Sequence, residues 1–165
     1  MKYFIGVTVP KNFKNKIELL RAEFRFFTTE PHITLVPPPA LPEDDSFIED
    51  LVKTCKETKA FNIKLHNLDQ FGERVLYVKV YSPELISLRE KLYDNLKLIK
   101  EKRPFTPHLT VVKQRPRRKV NIEKIRRRAE IKLNPYPKYP LNSLVVYYQP
   151  KEKSIYLPYM VIPFE

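Results

Sequence analysis

Two short segments of this chain repeat each other: Pro31-His32-Ile33-Thr34-Leu35-Val36 and Pro107-His108-Leu109-Thr110-Val111-Val112. The chain has three histidines, and two of them occupy this frame. The branched aliphatics around each histidine predict a strand. On a strand, residues two apart share a face. Each segment therefore presents an imidazole beside a hydroxyl, while Ile33 and Leu109 turn the other way into a core. An imidazole moves a proton near neutral pH, and a threonine hydroxyl can hold a phosphate oxygen. Two such strands facing a common cleft supply one neutral imidazole to take a proton and one imidazolium to give one. Their two hydroxyls hold the non-bridging oxygens as charge builds. That set suits phosphodiester chemistry without a metal. A single His-x-Thr is more often a structural histidine satisfied by backbone groups; two copies, with the same leading proline and trailing aliphatics, favour function. His66 lacks the threonine and reads as structural. A zinc site needs further protein ligands, and the chain has no His-x-His, no His-Glu-x-x-His and no cysteine cluster, so no metal is expected.

The elements that must position these segments follow from periodicity. Residues 2–10 read as a strand, rich in aromatic and β-branched side chains and stopped by Pro10. Phe13, Ile17, Leu20 and Phe24 lie at helical spacing over 11–27. The first histidine strand ends at the prolines 37–39, and a helix with acidic residues in its first turn is expected over 42–58. Residues 60–72 and 74–81 alternate as two strands. Ser82 and Pro83 start a helix whose face carries Leu85, Leu88, Leu92 and Leu96. The second histidine strand, a short basic helix over 121–131 and a closing hairpin around residues 150–153 complete the order β-α-β-α-β-β-α-β-α-β-β. Two helices bracket each histidine strand, nearly half a chain length apart. The pattern predicts an α+β duplication, with two pseudo-symmetric lobes of antiparallel sheet and helix around a cleft, within one domain over 1–165.

Composition sets the outer bounds. Lys and Arg number 31 against 19 Asp and Glu, a net charge of +12. That excess favours a polyanionic partner, nucleic acid first and an anionic membrane surface second, or else a merely charged, soluble surface. The basic residues crowd between Lys113 and Arg128. The lone cysteine, Cys55, excludes an internal disulfide and reads as a buried small residue. No apolar run reaches the roughly 18 residues of a membrane span, and the first residues lack the features of a signal peptide, so an intracellular, cytoplasmic protein is expected. Sixteen prolines and two glycines, with many charges, fit a thermophile's stiff chain.

The pair of segments "PHITLV" and "PHLTVV" resembles the two H-x-[T/S] motifs of the 2H phosphoesterase superfamily. More closely, the chain is similar to its 2′-5′ RNA ligase, or RNA 2′,3′-cyclic phosphodiesterase, branch. The likeness runs through the opening strand, "FNIKL…LDQFGERVLYVKV", "RPFTPHLTVVK" and "LVVYYQPKEKSIYLP". It implies a bilobal fold with a U-shaped cleft, His32 and His108 as the catalytic pair, and Thr34 and Thr110 as phosphate-holding hydroxyls. Five residues past the second histidine the family often has an arginine near the phosphate. This chain has Lys113, which brings charge without a bidentate fork. The first motif departs from the family by running into "PPPALPEDD". The implied reaction opens a terminal 2′,3′-cyclic phosphate of RNA to a 2′-phosphate, without metal or cofactor; with an RNA 5′-hydroxyl as nucleophile, the same site forms a 2′-5′ linkage. The two motifs leave acid and base open, with His32 taken as acid and His108 as base. The expected partner is RNA with a 2′,3′-cyclic end, the expected state a monomer without an obligate protein partner or membrane. The alternatives are a small cyclic phosphate, such as a cyclic mononucleotide or an ADP-ribose cyclic phosphate, and a non-catalytic RNA-binding module.

Overall fold

The computed structural model describes residues 1–165. In chain order it contains β1 (Lys2–Val7), α1 (Lys11–Glu23), β2 (Ile33–Val36), α2 (Ile48–Lys56), β3 (Phe61–Phe71), β4 (Val75–Tyr81), α3 (Pro83–Asn95), β5 (His108–Lys113), α4 (Ile122–Lys132), β6 (Lys138–Leu141), β7 (Ser143–Gln149) and β8 (Leu157–Pro163). The strands form one curled sheet in the order β6-β3-β4-β5-β2-β1-β7-β8, antiparallel throughout. The unit β1-α1-β2-α2 is matched by β4-α3-β5-α4, flanked by β7 and β8 on one side and β3 and β6 on the other. The expected pseudo-symmetric duplication is present. Its two sheets are halves of a single sheet, joined where Ile33 of β2 pairs with Leu109 of β5.

Helices cover one face only. They pair across the halves, α1 on α4 and α2 on α3, and bury alternate strand residues such as Ile5, Ile33, Ile63, Val78 and Leu109 in one apolar core. Local rules start several of them. Ser82 Oγ accepts from Leu85 N at 3.2 Å, and Asn121 Oδ1 from Lys124 N at 3.1 Å, each satisfying one of the free N–H groups of a helix start. Cys55 lies in this core, and burial pushes its thiol up to about 11, which makes it inert. No helix is long and apolar enough to cross a membrane.

Several boundaries differ from the periodicity. α1 stops at Glu23 because Arg25 takes φ 52. Residues 42–46 precede α2, whose acidic first turn is Glu49 and Asp50. The closing hairpin's loop is wider than expected, with strand beginning again at Leu157. β6 was not expected, because the prolines at 135, 137 and 140 argue against a strand. It is an edge strand, pairing only with β3, so Pro140 interrupts no ladder on its open side.

Candidate active site

The two motif strands are neighbours. Their shared pair, Ile33 with Leu109, sets His32 beside Thr110 and Thr34 beside His108 by antiparallel register. All four side chains emerge on the face that no helix covers. The flanking strands repeat the symmetry. β1 and β4 each break register next to the motif threonine, between Ile5 and Gly6 on one side and between Leu76 and Tyr77 on the other. Gly6 then pairs with Thr34 and Tyr77 with Thr110.

Both imidazoles are held the same way. His32 Nδ1–H donates to the Glu30 carbonyl at 2.6 Å and His108 Nδ1–H to the Thr106 carbonyl at 2.8 Å, each acceptor two residues back. Bonding to a carbonyl puts the neutral ring's proton on Nδ1 and leaves the Nε2 lone pair free for chemistry.

Their surroundings differ. His32 packs against the stacked rings of Phe4 and Tyr147, at 4.8 and 5.3 Å between centroids. Burial drives its pKa down to about 4, aided by the Arg21 charge and only partly opposed by its backbone bond. Tyr147 OH donates to Glu30 Oε1 at 3.0 Å, and Glu30 Oε2 pairs with Lys14 Nζ at 2.8 Å, so the residue whose carbonyl holds His32 is itself fixed. His108 meets Phe71 and Tyr77 edge-on, at 5.0 and 5.5 Å.

Two cavities open from this seam. The larger, about 880 Å³, holds His32 and Thr34 among Lys113, Arg115, Arg117 and Lys153, with no carboxylate in its lining. The smaller, about 350 Å³, holds His108 with Phe71, Arg103 and Phe105. Thr34 lines both; Thr110 lines neither and reaches the site through its place beside His32. Lys113 follows His108 in sequence but lines the His32 cavity, because antiparallel β5 ends beside the start of β2. Not all of the basic segment shares that cavity. Arg126 donates to Gln70 Oε1 at 2.6 Å, and Arg128 pairs with Glu23 at 2.9 Å, both through the helix side. No three His, Cys, Asp or Glu side chains converge into a metal-binding set.

Sequence reading missed the aromatic shelf of Phe4, Tyr147, Phe71 and Tyr77, and the cavity wall of Lys153 and Tyr156. The wall is docked by Tyr156 N donating to Thr29 Oγ1 at 3.0 Å. The symmetry of the repeat, extended outward from each motif to the neighbouring strands, was the signal that could have found the shelf.

A family model described as the 2′-5′ RNA ligase superfamily matches residues 10–151. A protein of Oceanobacillus iheyensis named as a phosphoesterase is 29% identical over 118 residues, covering 67% of this chain and 69% of that one. A similarly named protein of Bacillus licheniformis is 28% identical over 121 residues, covering 69% and 72%. Among solved structures, Escherichia coli LigT complexed with 3′-AMP superposes with a TM-score of 0.66 at 18% identity, over 99% of this chain and 97% of that one. TT0787 of Thermus thermophilus superposes at 0.65 with 15% identity, over 99% and 98%. The fold is thus that of LigT, the curated relatives are named as phosphoesterases, and the chain belongs to the 2′-5′ RNA ligase superfamily of 2H phosphoesterases.

Proposed function

We propose that the protein opens the 2′,3′-cyclic phosphate at an RNA end to a 2′-phosphate, using His32 and His108 as a base–acid pair. The observation that carries this reading is the matched pair of imidazoles, each locked by Nδ1 to a backbone carbonyl and each offering Nε2 to the same seam. Burial keeps His32 neutral, which fits a base. The roles are therefore assigned here in the reverse of the sequence-based preference. His32 Nε2 takes a proton from water as its oxygen bonds to phosphorus. The bond from phosphorus to the 3′ oxygen breaks, and the proton on His108 Nε2 goes to that oxygen. Thr34 and Thr110 donate to the non-bridging oxygens. Exchange with solvent then takes the proton from His32 and returns one to His108, so the proposed cycle closes without a metal or cofactor. With an RNA 5′-hydroxyl in place of water, the same steps form a 2′-5′ linkage: the P–O5′ bond forms as the bond to the 3′ oxygen breaks. The carboxylate-free cavity beside His32 has the charge for that polyanion.

The test is turnover, in EDTA, of an RNA oligonucleotide with a 2′,3′-cyclic phosphate end, beside His32→Ala and His108→Ala. A 2′-phosphate product that vanishes in both variants is expected. Turnover that needs added metal, or that survives either substitution, overturns the mechanism.

A further inference from the structure

The open face of the half that carries His108 continues well beyond the two motifs. Along β4, Tyr77, Lys79 and Tyr81 share that face, since Leu76, Val78 and Val80 turn to the helix-side core. Lys79 is the register partner of His108. Tyr81 is the partner of Lys64 on β3, and Lys64 is the partner of Lys138 on β6. His66 sits between Lys79 and Lys64, close enough to feel both charges, where β3 breaks register and Asn67 takes φ 58. A strip of Lys79, His66, Lys64 and Lys138 therefore runs outward from His108 across three strand spacings, roughly 14 Å. None of its lysines has an ion-pair partner, and each of the chain's ion pairs lies elsewhere. Asp69, beside Tyr77, is a carboxylate of this face and lies at the opposite end; Glu101, in the lining of the His108 cavity, is engaged by Arg89 at 3.6 Å and by the Tyr93 hydroxyl at 3.0 Å. Tyr81 is 60% exposed at the strip's margin.

The outer strands of the other half carry no such strip; the cations on that side, Lys113, Arg115, Arg117 and Lys153, line the His32 cavity itself. At the matching outer strands the same face presents Val145 of β7 paired with Val161 of β8. A duplicated fold whose outer strands are basic on one wing and apolar on the other has a direction built into it.

We infer that this strip is a binding track for the backbone of the RNA chain whose terminal cyclic phosphate is being opened. The inference rests on the phosphodiesterase reading for what lies at its origin. The leaving 3′ oxygen belongs to the terminal ribose and is protonated by His108, so that ribose and the nucleotides upstream of it lie on the His108 side. Unpaired lysines at strand spacing meet successive phosphates. Tyr81 offers a stacking platform for a base a few nucleotides upstream. The His32 cavity is left to water or to an incoming 5′-hydroxyl strand. Specificity for a polynucleotide over a cyclic mononucleotide then comes from this wing.

The experiment compares kcat/KM for a cyclic mononucleotide and for a six-nucleotide RNA with a 2′,3′-cyclic end, in the wild type, in the double variant Lys64→Ala/Lys138→Ala and in Tyr81→Ala. In parallel, the affinity of the same oligonucleotide is followed by fluorescence anisotropy across a salt series. Exposure of all three side chains leaves the melting temperature unchanged. The lysine variant is expected to lose on the order of tenfold on the oligonucleotide, and to reduce the salt slope of binding by about 1.4. Tyr81→Ala should lose about fivefold or more. Both should match the wild type on the mononucleotide. Equal losses on both substrates, or no loss on the oligonucleotide, overturn the track and leave the phosphodiesterase reading standing. If the wild type turns over neither substrate, that reading falls instead. The anisotropy then decides the track alone: weaker binding of the lysine variant upholds it, unchanged binding overturns it.

Discussion

Arg21 and Arg89 hold the same carbonyl of opposite motif strands. Arg21, on α1, donates from Nε to the Val111 carbonyl at 2.8 Å; Arg89, on α3, donates from Nε to the Leu35 carbonyl at 3.1 Å. Each carbonyl lies three residues past a motif histidine, and each arginine comes from the helix of the other half. Arg21 also donates to the carbonyls of Thr110 at 2.7 Å and Thr29 at 3.0 Å. One buried guanidinium thus ties the approach to the first motif to the second motif itself.

Removing Arg21 leaves three carbonyls at the seam without their donor. Buried acceptors lose roughly 1–3 kcal/mol each when orphaned, although relaxation and water recover part of that. Arg21→Ala is expected to lower stability by about 3 kcal/mol, and Arg89→Ala by less, since Arg89 makes one such backbone bond; its other partners are the Tyr93 hydroxyl at 3.3 Å, the half-exposed Glu101 at 3.6 Å and the rings of Tyr93 and Phe105 at 4.4 and 4.3 Å. Chemical denaturation of the two variants checks the ranking; equal losses would contradict it.

Either histidine to alanine should cost about 10²-fold or more in kcat. The double variant should lose little beyond the worse single variant, because the pair acts as a unit on one transition state. Multiplicative losses in single-turnover kinetics would argue that the two act in separate steps.

The pH profile tests the base assignment. Burial lowers the His32 pKa from 6.5 to about 4, so the acid limb of kcat/KM should fall near pH 4. Phe4→Ala admits water to the ring and should move that limb upward, toward 6.5. The same shift fixes a stability trend. The unfolded chain takes up the His32 proton before the folded one does, so His32's share of stability is complete above about pH 6.5. It is lost as the pH drops toward 4. A limb that stays in place in Phe4→Ala would remove His32 from the role of base.

Gly6 marks a spot where the symmetry of the two halves is broken on steric grounds. A Cβ there would lie 2.8 Å from the Ile33 carbonyl oxygen and 3.3 Å from the Phe4 ring. Its counterpart Tyr77 carries a whole side chain. Gly6→Ala should force β1 from β2 and push the shelf into His32, at about 1–3 kcal/mol and with a fall in kcat. Thermal melts and turnover of this variant check both; an unaltered protein would mean that the strands give way freely.

How far the chain could be read before folding depends on the range of the forces involved. That each histidine shares a face with its threonine follows from the two-residue period of any strand, a purely local property. So do the cap at Ser82, the leucine face of α3 and the burial of Ile33 and Leu109. The repeat of the motif announced the duplication for the same reason. Which rings lie against which histidine was hidden, because Phe4, His32 and Tyr147 meet only through pairing of β1 with both β2 and β7. Lys113 joins the cavity of His32, and not that of the neighbouring His108, through antiparallel register alone. β6 is a strand because β3 offers a free edge to a proline-rich segment whose own propensity opposes it. The unequal environments of two nearly identical motifs arise in the same way. Desolvation and charge are sums over neighbours distant in sequence, and the fold brings those neighbours together.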